Sequence, residues 1–236
     1  EMSDEVLDRG IPMLWWSIWD NLPTPQFNRL FYDSCSFVGC ISKLTHQIVK
    51  DLNLDHKAEY IPHAVDSNFF NILDENKVME EKIKLFGKDK KDSFVLFYNS
   101  RNARRKKTSD AVVAFKMFAD KIGDKDGEKC YFVMHTDPHD QEGSDLFEVC
   151  KMLGLKNSQI TFSTEKLMFD KLATLYNIAD ATIAISAEEG FGLSNLESLY
   201  CGTPVISSKT GGLQEQNIEP DTGKIFGTQI VPAAKL

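Results

Sequence analysis

The sequence predicts an α/β protein built on parallel sheets: the last part of one such domain over residues 1–66, then a second, nearly complete one over residues 67–236. Three observations carry this. Short, dense apolar runs alternate with longer segments of helical periodicity, the order in which a parallel sheet is wound. The apolar runs are three to nine residues long, the length of buried strands rather than of helices. Glycine and proline close the helical segments, as Gly154 does one and Gly202 with Pro204 another.

Taken in order, Ile11–Trp19 reads as a buried strand, with Trp15, Trp16 and Trp19 in the core of the first unit. The proline-bearing Asp20–Pro25 is a loop. Residues 28–34 read as helix and 36–42 as strand. Residues 43–53 form an amphipathic helix with Leu44, Ile48 and Leu52 on one face. Residues 58–62 close the first alternation, and Pro62–Asp66 crosses to the second. Residues 71–92 are charged, helical and then loop. Strands follow at 94–98, 131–134, 160–162, 181–185 and 205–207. The helices between them cover 109–122 (Val112, Phe115, Phe118 and Ala119 inward), 146–153, 169–178 and the segment after Gly192. A short helix follows Gly211-Gly212. The start at Glu1-Met2 and the end at Ile230–Leu236, with no closing helix, read as those of a piece of a longer fold.

Of 236 residues, 42% are hydrophobic and 26% charged, which is ordinary for a globular chain with a sizeable core. A net charge of −8 argues against broad nucleic-acid binding, which needs a basic face. The five cysteines (Cys35, Cys40, Cys130, Cys150 and Cys201) have no metal-ligand spacing. They read as free thiols, fitting a reducing compartment and a cytoplasmic location. No signal peptide or apolar run of transmembrane length is present.

Two segments carry chemistry. In Glu189-Gly-Phe-Gly-Leu-Ser-Asn-Leu-Glu197 two carboxylates bracket a glycine turn that runs into a helix. Such a turn offers backbone N–H groups to an anion, and the helix dipole adds positive charge there. The plainer reading is a capping box, with Ser194 as N-cap and Glu197 as its partner. It leaves Glu189 unexplained, as well as two glycines where a ligand would approach the backbone. The second segment, Arg101-Asn-Ala-Arg-Arg-Lys-Lys107, has five basic residues of seven and follows the strand at 94–98. A solvated basic loop is the plain reading. However, both segments leave the carboxyl ends of strands, where open parallel sheets bind ligands. Cations there would neutralise a diphosphate and stabilise it as a leaving group.

These residues resemble the signature of family 4 retaining glycosyltransferases, the group 1 glycosyl transferases of GT-B fold, with their paired Rossmann-like domains. Ile185-Ser186, Glu189–Gly192, the second carboxylate at Glu197 and Gly202-Thr-Pro-Val-Ile206 match that signature in order. Arg101 and Lys106 fall on the family's Arg-x4-Lys pair. Leu175–Asp180, Gly211–Leu213 and Tyr60–Asp66 match the flanking elements, so the resemblance covers roughly residues 58 to 218. It implies that Arg101 and Lys106 bind the donor diphosphate and that Glu189 contacts the transferred sugar. Glu197 would hold the ribose, and Gly190, Phe191, Gly192 and Leu193 the sugar and phosphates. His135, Thr164 and Leu167 would line the nucleotide pocket, the last two near the base. No metal or other cofactor is implied. Lys107 stands where the family usually has Gly, Ala64 where it often has Gly, and Ser194 where it usually has Pro.

Two groups of histidines need separate readings. His135, Asp137, His139 and Asp140 match no strong zinc pattern and read as a loop at the nucleotide pocket. His63, at the crossing, reads as a hydrogen-bonded linker residue. The expected activity is transfer of a hexose from a UDP-, GDP- or ADP-linked sugar to a hydroxyl on a glycan, lipid or protein. A donor-binding piece without turnover, a related sugar-nucleotide enzyme such as an epimerase, a phosphorylase and an RNA-binding protein are the alternatives.

Overall fold

The computed structural model describes residues 5–6, 8–219, 221–225 and 227–231, so Glu1, Met2 and the last five residues lie outside the description. The chain folds as two parallel sheets. The first carries β1 (Leu14–Ser17), β2 (Phe37–Cys40) and β3 (Ala58–Tyr60) in that order. Helices α1 (Arg29–Ser34) and α2 (Lys43–Asp51) connect them. Ser42 caps α2, its hydroxyl accepting from the Thr45 N–H at 3.1 Å.

The second sheet follows α3 (Glu75–Phe86). Its strands are β4 (Phe94–Asn99), β5 (Cys130–His135), β6 (Ile160–Ser163), β7 (Ala181–Ala184), β8 (Val205–Ser208) and β9 (Thr228–Ile230). The longer intervening helices are α4 (Thr108–Ile122), α5 (Leu146–Met152), α6 (Phe169–Ile178), α7 (Leu193–Tyr200) and α8 (Gly211–Gln216). The spatial order is β6-β5-β4-β7-β8-β9, all pairs parallel. Winding therefore runs one way from β4 and the other way from β7. The reversal between β4 and β7 is a topological switch point, where two consecutive crossovers diverge and open a crevice at the strands' carboxyl ends.

Strand β4 shows why these runs are apolar throughout. Val95 and Phe97 enter one core with Phe70, Val133 and Tyr176, while Leu96 and Tyr98 enter the opposite core with Phe115, Phe132 and Met134. A central strand covered on both faces has no polar side to alternate with. Phe118 departs from expectation: it is 40% exposed at the margin of α4, where its ring meets Phe94 at 5.3 Å.

The first unit departs further. Strand β1 covers only Leu14–Ser17, and Ser17 alone of the four is buried. Trp15 and Trp16 are each 43% exposed, so the tryptophans do not fill a core. The reason is position: β1 is the edge of its sheet, and among the described residues nothing pairs with its outer side. The rings pack sideways instead, Trp15 edge-on to Phe31 at 4.8 Å and Trp19 to Phe27 at 5.6 Å. Strand β9 is a further departure, since the sequence reading placed no element there.

The two units are tied together. The Glu215 carboxylate of α8 accepts from the Lys43 N–H at 2.9 and 3.2 Å, joining the second unit to the start of α2. Burial pushes that carboxyl upward, and burial likewise raises the nearby Tyr60 phenol to about 12. All five cysteines are free and buried; burial raises Cys40 to about 11 and Cys201 to about 12, which keeps them as unreactive thiols. No described helix is long and apolar enough to cross a membrane.

Candidate active site at the sheet switch point

A cleft of about 410 Å3 opens above the carboxyl ends of β4 and β7. Asn99 at the end of β4 and Ser100, Arg105 and Lys106 of the loop after it form one side, and the loop after β7 contributes Glu189 to Gly192, with Leu193, Ser194 and Glu197 from α7. Ile18, Asp20 and Ile41 of the first unit, and His63 from the crossing, form the facing wall. The cleft thus lies between the two units, at the point the sheet order predicts.

The turn between β7 and α7 is held by its glycines. Gly192 has φ +91° and is the N-cap of α7; a Cβ there would lie 2.4 Å from Leu213 Cδ2. A Cβ on Gly190 would lie 2.9 Å from Ile41 Cδ1 and 3.1 Å from the Ile18 carbonyl. The space beside both glycines is therefore taken by protein: α8 in one case and the first unit in the other. Because the helix is capped by Gly192, Ser194 lies inside it and the capping box does not form. Glu197 is left for another purpose.

Glu189 sits at the centre of the cationic side. Its Oε2 accepts from the Lys106 ammonium, and from Ser186 Oγ at 3.1 Å. Arg105 Nη1 is 3.8 Å away and donates to the Glu188 carbonyl at 3.0 Å. The side chains of Lys106 and Glu189 are both well covered, so their attraction is little screened. Lys106 belongs to a short 3-10 turn, Arg104–Lys106, whose Ala187 N–H to Arg105 carbonyl bond of 2.8 Å clips the two loops together.

Glu197 has a different environment. Tyr176 Oη donates to its Oε2 at 2.7 Å, and Asn99 Nδ2 approaches the same oxygen at 3.4 Å. Burial pushes this carboxyl above the usual carboxylate range, and the two donors pull it partly back. Both donors reach Oε2, and Oε1 has no protein partner among the described residues.

The other residues named from sequence are placed as follows. Gly190, Phe191, Gly192 and Leu193 line the cleft. Arg101 is not part of its lining; its guanidinium makes a two-point pair with Asp140, at 2.6 and 3.1 Å, and lies 3.5 Å from Glu142. His135 ends β5 beside Asn99 and Ser163 in register, and its Nδ1 is 3.0 Å from Ser163 Oγ. Burial lowers the His135 pKa. Thr164 is exposed and Leu167 half-buried in the loop after β6, on the same rim but outside the cleft lining. His139 pairs with Asp145 at 3.3 Å, Asp140 with Arg101 and His135 with Ser163, and Asp137 accepts from the His139 N–H, so the histidines and aspartates of that loop have separate partners. His63 is held between two rings, stacked on Trp16 at 5.5 Å and edge-on to Phe191 at 5.2 Å.

Sequence reasoning missed Arg105 as the arginine at the cleft, along with Asn99 and Tyr176 as partners of Glu197. It also missed the wall supplied by Ile18, Asp20 and Ile41. Position at a strand's carboxyl end was the available signal for Asn99.

Comparison with known proteins fits this arrangement. The family profile described as "Glycosyl transferases group 1" matches residues 78–233. The chain belongs to that family. N-acetyl-alpha-D-glucosaminyl L-malate synthase of Bacillus anthracis is 24% identical over 208 residues, covering 84% of this chain and 49% of the relative. A glycosyltransferase of Methanocaldococcus jannaschii, MJ1607, is 27% identical over 188 residues, 78% of this chain and 45% of the relative. This group 1 chain thus spans about half the length of the curated relatives it matches. Among solved structures, Anabaena Alr3699/HepE in complex with UDP superposes with a TM-score of 0.74 at 17% identity, covering 98% of this chain and 62% of that one. The group 1 chain therefore has the GT-B type of fold.

Proposed function

We propose that this chain carries the donor site of a retaining glycosyltransferase that moves a hexose from a nucleoside diphosphate sugar to a hydroxyl acceptor. The observation that carries this is the convergence of Lys106, Glu189 and Glu197 on one cleft at the switch point. A cation pair beside a helix N-terminus suits a diphosphate, and the two carboxylates on either side suit hydroxyl-rich rings. Similarity to a structure holding UDP and to another holding UDP-glucose supports the donor class.

In this reading Lys106 and Arg105 meet the diphosphate, joined by Arg101 once it exchanges Asp140 for phosphate oxygens. Side-chain cations supply the compensating charge, and no metal is assigned a role. Glu189 takes hydroxyls of the transferred sugar, Glu197 takes the ribose, and the Gly190–Leu193 backbone holds sugar and phosphate. His135, Thr164 and Leu167 form the nucleotide end of the rim. The bond between anomeric carbon and diphosphate oxygen breaks as the acceptor oxygen bonds on the same face. The acceptor's proton passes to the departing phosphate oxygen. The acceptor is a glycan, lipid or protein hydroxyl, and the protein acts in the cytoplasm.

A thermal-shift panel of UDP, GDP, ADP and their hexose conjugates tests this, on wild type and Glu197→Ala. A ligand at 100 times its dissociation constant adds about 2.7 kcal/mol of stability. A shift with one nucleotide family, lost in the variant, is expected. No shift with any of them, in this chain or in a longer form of the protein, would overturn the donor reading.

A further inference from the structure

We propose that Tyr176 is a positioning residue for donor recognition: its hydroxyl fixes which oxygen of Glu197 is presented to the ribose and so sets the preference for an intact ribose diol. The proposal rests on the ribose role given to Glu197 above.

Tyr176 is 0% exposed, near the end of α6. Its ring is wedged edge-on against Phe97 at 4.9 Å and Phe70 at 6.3 Å, and its carbonyl accepts from Thr203 Oγ1 at 2.7 Å. Ring and backbone are thus fixed independently of the hydroxyl. A phenol buried this deeply costs free energy unless its oxygen is bonded. Here it is bonded twice: it donates to Glu197 Oε2 at 2.7 Å and accepts from Asn99 Nδ2 at 2.8 Å. Asn99 reaches the same Oε2 at 3.4 Å. A closed triangle from β4, α6 and α7 therefore converges on one carboxylate oxygen.

The triangle has a directional consequence. An ionised carboxylate accepts through both oxygens, and a ribose diol needs such an acceptor in one orientation. Both protein donors occupy Oε2, so Oε1 is the oxygen presented, and the side chain is ordered before ligand arrives. Ordering a free glutamate on binding would cost rotamer entropy, which a preset one avoids. A core tyrosine kept only for packing would not need a hydroxyl aimed at a cleft carboxylate.

The test is the affinity ratio of UDP to 2′,3′-dideoxy-UDP by calorimetry, with the GDP and ADP pairs run in parallel. It uses wild type, Tyr176→Phe, Asn99→Ala and Glu197→Ala, each first shown to melt cooperatively. Phenylalanine preserves the packing against Phe97 and Phe70 and removes only the hydroxyl. Wild type should prefer the ribose form, and Glu197→Ala should abolish the preference. Tyr176→Phe should narrow it by about 5–10-fold while leaving the dideoxy affinity unchanged, as for a lost bond to a charged group. If Tyr176→Phe does not fold, Asn99→Ala is expected to narrow the ratio in the same way and serves instead. A purely structural tyrosine would weaken both nucleotides alike and leave the ratio intact. If Glu197→Ala loses the preference while Tyr176→Phe and Asn99→Ala keep it in full, the positioning role falls and the ribose reading stands. If wild type binds none of the nucleotides, or shows no ribose preference, or keeps it in Glu197→Ala, the ribose reading falls and this proposal with it.

Discussion

Lys106 and Glu189 are each other's counter-ion across the cleft: the ammonium rests on Oε2, the oxygen that Ser186 also bonds. The two charges therefore neutralise each other before any ligand enters. An arriving diphosphate must compete with Glu189 for Lys106, and displacement releases Glu189 to accept from sugar hydroxyls. Glu189→Gln should then tighten binding of the bare nucleoside diphosphate about 3–10-fold while transfer falls steeply. Lys106→Ala should weaken that binding by about 1–3 kcal/mol, the size of a charge-assisted hydrogen bond. Calorimetry with the diphosphate and a transfer assay read the two effects. Weaker diphosphate binding in Glu189→Gln would show instead that Glu189 orients Lys106, and the competition would be ruled out.

Arg101 makes a related prediction from outside the cleft. Its guanidinium is engaged by Asp140, whose carboxyl is held below the usual range by the bond from Arg101. If Arg101 joins the phosphates only after leaving Asp140, then Asp140→Asn should strengthen diphosphate affinity. Arg101→Ala should weaken it and make it insensitive to Asp140→Asn. A double-mutant cycle measures the coupling. Additive effects would confine Arg101 to tying the Arg101–Glu142 loops together and leave Arg105 as the arginine that serves the donor.

The chain shows which parts of such a site can be read from residues alone. Strand and helix order was legible because each buried strand is a dense apolar run and each crossover has helical period. The carboxylate pair was legible because its spacing is local. The tryptophan run was misread because apolar density does not reveal that β1, among the described residues, lies at the edge of its sheet. Strand β9 was missed because Thr228–Ile230 is short and follows a polar stretch. Five cations in seven residues could not be ranked by sequence. The 3-10 turn at Arg104–Lys106 decides that Arg105 and Lys106 face Glu189 while Arg101 faces Asp140. The Asn99–Tyr176 bond joins residues 77 apart and exists only because β4 and the crossover into β7 meet at the switch point.

Glu197 predicts a trade-off between stability and binding. Burial raises its carboxyl pKa, so the folded chain keeps the proton at a pH where the unfolded chain has already lost it. Stability therefore falls as pH rises from the ordinary carboxylate value through the raised one, and at neutral pH the wild type carries that cost. Glu197→Gln keeps an acceptor for Tyr176 and removes the buried charge. It should raise stability by about 1 kcal/mol at neutral pH, with the gain vanishing below the ordinary carboxylate pKa, and should weaken nucleotide binding. Denaturation followed across pH checks the sign. A variant less stable than wild type at neutral pH would mean that the ionised form is stabilised by its partners beyond its burial cost.

Lys107 offers a stability test that leaves the chemistry untouched. It has φ +54°, in the left-handed region, at the N-cap of α4, where the family resemblance expects glycine. A side chain there costs about 1–2 kcal/mol, and glycine returns part of that through its greater freedom in the unfolded chain. Lys107→Gly should therefore stabilise by about 0.5–1 kcal/mol, glycine also being an acceptable N-cap. Charge gives a competing explanation, because Arg104, Arg105 and Lys106 precede it and any loss of a cation would relieve repulsion. Lys107→Ala separates the two: it removes the same charge but keeps the Cβ and its strain. Conformational strain predicts that glycine stabilises and alanine does not, whereas repulsion predicts an equal gain from both. Lys107 lines the neighbouring groove beside Ser109 and Gly143 and not the Glu189 cleft, so nucleotide affinity should stay within about two-fold in both variants. Paired melting curves decide between the causes. A glycine variant no more stable than wild type would show that the backbone at Lys107 relaxes at no cost.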